Sequence, residues 1–276
     1  IMRELRLARR PGEFKGDISL LSAADPCQSL ALQNIVRLSL YDCQIKNLDG
    51  IGSLSCSSLE ELNLGKNPIT HLPPDLSIFA TRLKTLWCDD CLINGPVPDC
   101  VFALQKLECL RISNNEITSV PKSIGALDNL KVLCLDGNKI SSIPSQIGNL
   151  KKLESLLLRK NLLEALPATL PHESLGLLHV SSNKLLSLPE TIVNCSSLET
   201  IYANANRIKT VPKGMLRQLV NLKKLNLSHN LIEALPDDII ERFGGEDCLV
   251  HLKADVWGSD RAILKDSQCT ILLDGN

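Results

Sequence analysis

The side chains best suited to chemistry in this sequence are its cysteines and histidines, eleven and five of them. Cys88 and Cys91 have the C-x-x-C spacing of a redox dithiol or of half a zinc site. A structural zinc needs four ligands, however, and no second pair stands nearby. His71, His172, His179, His229 and His251 fall at no metal-ligand spacing. No phosphate-binding glycine loop, nucleophile elbow or kinase signature occurs, and Gly244-Gly245 reads as a loop rather than a phosphate cradle. The expectation is therefore no catalytic residue, no metal and no cofactor. Eleven thiols, an odd number without paired spacing, point to a reduced and hence cytoplasmic protein rather than a disulfide framework. The two N-x-S triplets, Asn194-Cys195-Ser196 and Asn226-Leu227-Ser228, arise readily by chance.

What these residues can do depends on the elements that hold them, and an internal repeat sets those elements. The pattern L-x-x-L-x-L-x-x-N-x-I begins at Ile35, Leu59, Leu83, Leu107, Leu130, Leu153, Leu175, Leu198 and Leu222, with spacings of 22 to 24 residues. Its clearest copy runs Leu130-Lys-Val-Leu133-Cys-Leu135-Asp-Gly-Asn138-Lys-Ile140. The alternating L-x-L segment is a short strand with leucines inward and variable residues outward. Stacked coils would pair these strands into one parallel sheet along the concave side of a horseshoe. After each strand the chain turns where water cannot reach. A buried asparagine, with both a donor and an acceptor, can satisfy the backbone there. Asn67, Asn115, Asn138, Asn161, Asn183, Asn206 and Asn230 hold this position, and Cys43 and Cys91 replace it in the first and third coils.

The rest of each coil reads L-P-x-x-I-x-x-L, as in Ile143-Pro144-Ser-Gln-Ile147-Gly-Asn-Leu150. Proline suits an irregular turn onto the convex side, and the i, i+3 apolar spacing predicts a short helical turn. The expected fold is α/β: a solenoid with a parallel concave sheet and short helical or irregular convex segments. Residues 35–236 form nine coils with no linker between them. Residues 1–34 are an N-terminal cap, with a strand near Leu5. Residues 237–276 are a degenerate tenth coil at Leu249-x-x-Leu252-x-Ala254, with Trp257 in the ladder position, followed by a C-terminal cap. An aliphatic core agrees with 44% apolar residues and only 3% aromatics.

Charge excludes further partners. Thirty basic and 31 acidic residues leave a net charge of −1, so no global field favours nucleic acid or anionic lipid. No apolar run is long enough for a membrane span, and charges occupy the stretch where a signal peptide would be apolar. The chain opens on Ile1 rather than methionine, so it is expected to be a piece of a longer protein.

The repeat, with its S/T-x-L-P-x-x-I-x-x-L-x-x-L continuation, resembles the leucine-rich-repeat proteins, and within them the intracellular Ras-group type. That type includes cytosolic scaffolds of animal Ras pathways and plant intracellular members. The match covers Ile35 to Pro236. It implies a signalling scaffold or adaptor, with a protein partner drawn from a small GTPase or kinase pathway. Asn94-Gly95-Pro96-Val97-Pro98 of the third coil is similar instead to the G-x-I-P turn of plant receptor-type repeats.

The outward strand positions are then the candidate binding surface. The central column is Ser39, Asn63, Trp87, Arg111, Cys134, Leu157, His179, Tyr202, Asn226 and Lys253, with Asp89, Asp90, Asp136, Arg159 and Lys160 following the strands. Trp, Tyr and Arg are the usual anchors of protein interfaces. The partner-binding set is accordingly Trp87, Asp89, Arg111, Asp136, Leu157, Arg159, His179 and Tyr202. Cys88 falls on a core leucine position and should be buried and inert, whereas Cys134 falls on the outward column and should be exposed and reactive. Lys151-Lys152 and Lys223-Lys224 read as solvated pairs. The function expected is protein binding and signal transduction without chemistry. The alternatives are the recognition domain of a larger kinase, GTPase or ubiquitin ligase and, less favoured, an extracellular receptor domain.

Overall fold

The computed structural model describes residues 3–7, 32–54, 56–233 and 236–237, and the strand backbones 263–265 and 270–272. Its contacts divide the chain into two compact units, Ile1–Lys139 and Ile140–Asn276. The expected tenth-coil segment, Leu249 to Trp257 with Lys253, lies outside the described residues, as does His251.

In the first unit, β1 (Glu4–Arg6), β2 (Arg37–Ser39), β3 (Glu61–Asn63), β4 (Thr85–Trp87), β6 (Cys109–Arg111) and β8 (Val132–Cys134) pair in parallel, in that order. Successive strands pair without offset, so Asn63, Trp87, Arg111 and Cys134 are register partners across β3, β4, β6 and β8. A second parallel pair, β5 (Asn94–Pro96) and β7 (Glu116–Ser119), forms a separate two-stranded sheet. It begins at Asn94-Gly95-Pro96, the segment similar to the plant-type turn. In the second unit, β9 (Ser155–Leu157), β10 (Leu177–His179), β11 (Thr200–Tyr202) and β12 (Lys224–Asn226) pair in parallel the same way. β14 (Thr270–Leu272) adds to β12 in parallel, and β13 (Ile263–Lys265) pairs antiparallel with β14.

Burial follows the repeat. Ile35, Leu59, Leu83, Leu107, Leu130, Leu153, Leu175, Leu198 and Leu222, one per coil, are all at most 1% exposed. The predicted convex turns are there as short 3₁₀ helices, such as Asp99–Ala103, Lys122–Ala126, Ser145–Asn149 and Glu190–Asn194. Each starts after a proline (Pro98, Pro121, Pro144, Pro189) in extended conformation. The fixed ring torsion holds the chain at the point where it leaves the sheet side.

The asparagine ladder does what burial requires. Asn138 donates from Nδ2 to the carbonyls of Ile112 at 2.8 Å and Leu135 at 3.0 Å, and its Oδ1 accepts from the Ile117 N–H at 3.0 Å. Asn67, Asn115, Asn183, Asn206 and Asn230 repeat the arrangement, each binding backbone of its own and the preceding coil. Asn161 accepts from Ile140 at 3.0 Å and donates to Leu158 at 3.1 Å. Cys91 shows what is lost without the amide. Its Sγ donates to the Leu64 carbonyl at 3.5 Å but offers no comparable acceptor, and the Ile69 N–H turns back onto the Asn67 carbonyl at 2.7 Å.

A second device, not foreseen from the sequence, precedes each ladder position. Asp42, Lys66, Asp90 and Asn114 in the first unit, and Lys160, Ser182, Ala205 and His229 in the second, all have φ between 53° and 58°. Gly137 fills the same place at φ 66°. The left-handed residue reverses the chain after the strand so that the next side chain points into the core. The conformation costs about 1 kcal/mol or more at a non-glycine residue, and the buried ladder bonds offset it.

Candidate functional site

A strand of three residues buries its middle leucine and turns its first and last residues outward. In the first unit this presents Trp87 at the end of β4, half-buried, and Arg111 at the end of β6, exposed. Asp89, two residues beyond Trp87, accepts from Arg111 Nε at 2.7 Å and from the Ser113 N–H at 2.7 Å. One carboxylate thus fixes both the guanidinium and the turn of the next coil. Asp90 accepts from Asn114 Nδ2 at 2.9 Å. The indole N–H of Trp87 is buried and makes no hydrogen bond to nitrogen or oxygen. Its neighbour Cys109 has a raised thiol pKa, because burial outweighs the opposing pull of that N–H and of Arg111. Asp136 is half-buried, and its carbonyl accepts from Asn114 N at 2.8 Å. A groove of about 660 Å³ opens over β1 to β4, lined by Arg37, Tyr41, Glu61, Asn63 and Trp87 among others. Tyr41, with Lys66 Nζ 5.5 Å from its ring centre, lies in this groove outside the central column.

In the second unit Leu157, His179 and Tyr202 are register partners at the ends of β9, β10 and β11, all half-buried. The rings of His179 and Tyr202 lie 5.0 Å apart at 53°. Lys224 Nζ sits 5.0 Å from the centre of the Tyr202 ring. Arg159 is exposed, just beyond β9. The expected binding residues therefore fall into two groups: Trp87, Asp89, Arg111 and Asp136 on the first unit's sheet face, and Leu157, Arg159, His179 and Tyr202 on the second's.

Two expectations need correction. Cys134 is buried, at 3% exposure, although it occupies an outward position. A thiol is too short to reach past its neighbours: it lies 3.0 Å from Ser113 Oγ, and its pKa is raised by burial. Cys88 is fully buried as expected, with its thiol pKa raised well above the ordinary value by desolvation. The Lys223-Lys224 pair is also not simply solvated: Lys223 binds Glu199 at 2.7 Å, and Lys224 covers Tyr202. The same inter-coil pairing joins Lys84 to Glu60 at 2.9 Å and Lys131 to Glu108 at 2.7 Å. Opposite charges at the second position of successive coils, Glu60 and Lys84, Glu108 and Lys131, Glu199 and Lys223, were the sequence signal for it.

Among the described residues no cluster of His, Cys, Asp and Glu could hold a metal, and no helix is long and apolar enough to cross a membrane. No disulfide joins the described cysteines. A groove of about 620 Å³ on the helical side of the second unit is lined by Ser145, Gln146, Thr169, His172, Thr191 and others. Two of its hydroxyls are already committed to backbone, Thr169 to the Ser145 carbonyl at 2.7 Å and Thr191 to Ala168 at 2.5 Å.

Comparison with known proteins agrees with this geometry. A Leucine rich repeat family model matches residues 105–163 and 173–232, and a second of the same description matches 58–78. No curated protein sequence matches the chain. A leucine-rich-repeat protein of Leptospira interrogans is similar in structure, with a TM-score of 0.74, 26% identity, and 88% of this chain and 64% of that one covered. The Arabidopsis receptor kinase HAESA, solved with the peptide hormone IDA and the co-receptor SERK1, gives a TM-score of 0.66 at 24% identity, covering 85% of this chain and 39% of that one. A chain of the octameric complex of Latrophilin 3, Unc5D and the leucine-rich repeats of FLRT2 gives 0.69 at 19%, covering 98% and 83%. The last two likenesses concern the fold alone. The chain spans less than two thirds of the length of the Leptospira and HAESA chains. The two family models together span about half of the sequence, over coils whose strands, ladder and turns follow the repeat, and the chain is a leucine-rich-repeat protein.

Proposed function

We propose that the chain is a protein-docking module that holds a partner on the sheet face of its coils and does no chemistry itself. Leucine-rich repeats commonly mediate protein–protein interaction, and the observation that carries the reading here is the use of the outward column. Trp87, Arg111, His179 and Tyr202 stand at strand ends, partly open to solvent and outside the fully buried core. The chain is poor in aromatics, so placing them there concentrates the residue types that anchor interfaces. The thiol content and the resemblance to the Ras-group type support a cytoplasmic signalling scaffold with a partner from a GTPase or kinase pathway. Affinity capture with the wild-type chain and with a Trp87→Ala, Tyr202→Ala variant tests the docking face: partners that depend on it disappear with the variant. Thiol counting in the unfolded, unreduced protein tests the compartment, since eleven titratable thiols agree with a reduced protein and pairwise losses with an extracellular one.

A further inference from the structure

We infer that the sheet face of the second unit selects an acidic protein segment, one that sets carboxylates beside an apolar side chain. This rests on the docking function above and narrows it to a class of partner. The outward residues of β9 to β12, with the two positions after the buried residue that closes each strand motif (Leu158, Val180, Ala203, Leu227), include the cations Arg159, Lys160 and Lys224 and no carboxylate. Glu154 and Glu199 stand at the strand entry instead, and Glu199 is taken by Lys223 at 2.7 Å. The equivalent positions on β2, β3, β4, β6 and β8 hold five carboxylates, Asp42, Glu61, Asp89, Asp90 and Asp136, against three cations, Arg37, Lys66 and Arg111. The two faces therefore differ in sign, although the whole chain is nearly neutral.

The apolar half of the recognition lies beside these charges. Leu157, His179 and Tyr202 are register partners, so strand spacing puts the first and last about 10 Å apart, the reach of three extended residues. Lys224 keeps its ammonium 5.0 Å over the Tyr202 ring, at the edge of that surface. A carboxylate arriving there meets the cation while the neighbouring apolar side chain covers the rings. A basic segment would meet no carboxylate at these positions and only Glu154 at the strand entry, since Glu199 is held by Lys223. A neutral apolar one would strip water from Lys160 and Lys224 without replacing it.

The test uses the complete chain as bait for a phage-displayed library of random dodecapeptides. The enriched peptides are then synthesised, and their affinity is measured by fluorescence anisotropy at about 0.05 M and about 0.5 M salt, where screening differs several-fold. The inference expects peptides with Asp or Glu next to Leu or Phe, bound more weakly at high salt. Lys224→Glu should weaken them by about tenfold or more and Lys224→Met less, while Lys151→Glu, off this face, should leave them within about twofold. Acidic peptides that bind Lys224→Glu as they bind wild type overturn the inference, as does enrichment of neutral or basic peptides. If such neutral or basic peptides are lost with Tyr202→Ala, docking on the sheet face stands and only the acid selectivity fails. Peptides indifferent to both Trp87→Ala and Tyr202→Ala, or no enrichment at all, count against both.

Discussion

Replacing Asn138 by leucine removes one rung of the ladder while keeping the number and branching of the side-chain heavy atoms. The side chain is 7% exposed, donates to the Ile112 and Leu135 carbonyls and accepts from the Ile117 N–H. Leucine can do neither, and water cannot reach the abandoned groups. Each buried group left unpaired costs about 1–3 kcal/mol, offset in part by the added apolar burial, so the net loss should be about 3 kcal/mol. Cysteine is the informative comparison. At Cys91 the thiol still donates to the preceding coil and the orphaned Ile69 N–H finds the Asn67 carbonyl. Asn138→Cys should therefore lose only the acceptor half, about 1 kcal/mol. Urea titration followed by circular dichroism measures both, with the slope checked because repeat arrays can unfold in parts. Equal losses for the two variants, or a leucine variant within about 0.5 kcal/mol of wild type, would refute the assignment of the ladder.

Three further predictions follow from the same structure. Native-state alkylation read site by site by mass spectrometry should label the half-buried Cys100 and Cys109 before the buried Cys88 and Cys134, with denaturant erasing the order. Burial raises the thiols of Cys56, Cys91, Cys100 and Cys195 from an ordinary 9.0 to about 11. The unfolded chain then releases protons that the folded chain keeps, so unfolding free energies should fall as pH rises from about 9 towards 11 and vary little with these thiols below 9. Gly137→Ala combines a φ of 66° with a Cβ that would run into the Asn114 side chain, and it should cost about 2 kcal/mol or more. Gly95→Ala at φ 77°, with open space around it, should cost about 1 kcal/mol in the same denaturant titration.

The repeat was legible because each coil repeats the same physical solution. Leu110 and Leu133 must face inward for the coils to stack, and Asn115 and Asn138 must satisfy backbone that the stacking buries. Binary pattern and polar type therefore fix strand, ladder and turn together. Exposure at the outward positions was less legible, because it depends on side-chain length relative to neighbours. Cys134 and Arg111 are register partners in the same column, yet the long guanidinium reaches out to Asp89 while the thiol stays beneath, against Ser113. The left-handed residue before each ladder position carried only a partial signal. Asp42, Asp90, Asn114 and Gly137 are types that tolerate it, but Lys66, Lys160 and Ala205 are not. There the tertiary fold overrides local preference. The pairing of Lys84 with Glu60 could have been read from opposite charges at the same position of successive coils.

The central claim, docking on the sheet face, is tested most directly by the Kd of a captured partner for three forms of the chain. These are wild type, Trp87→Ala with Tyr202→Ala, and Lys122→Ala with Gln146→Ala on the helical side. Both aromatic side chains are half-buried at strand ends and lie outside the leucine core, so the first pair should leave folding nearly intact. Anchors of this kind lose about 2 kcal/mol or more when truncated, a rise in Kd of about thirtyfold. The account predicts that rise for the aromatic pair and a Kd within about twofold of wild type for the helical-side pair. Wild-type affinity in the aromatic variant, with weakened binding in the helical-side variant, would contradict it and place the partner on the opposite side of the coils.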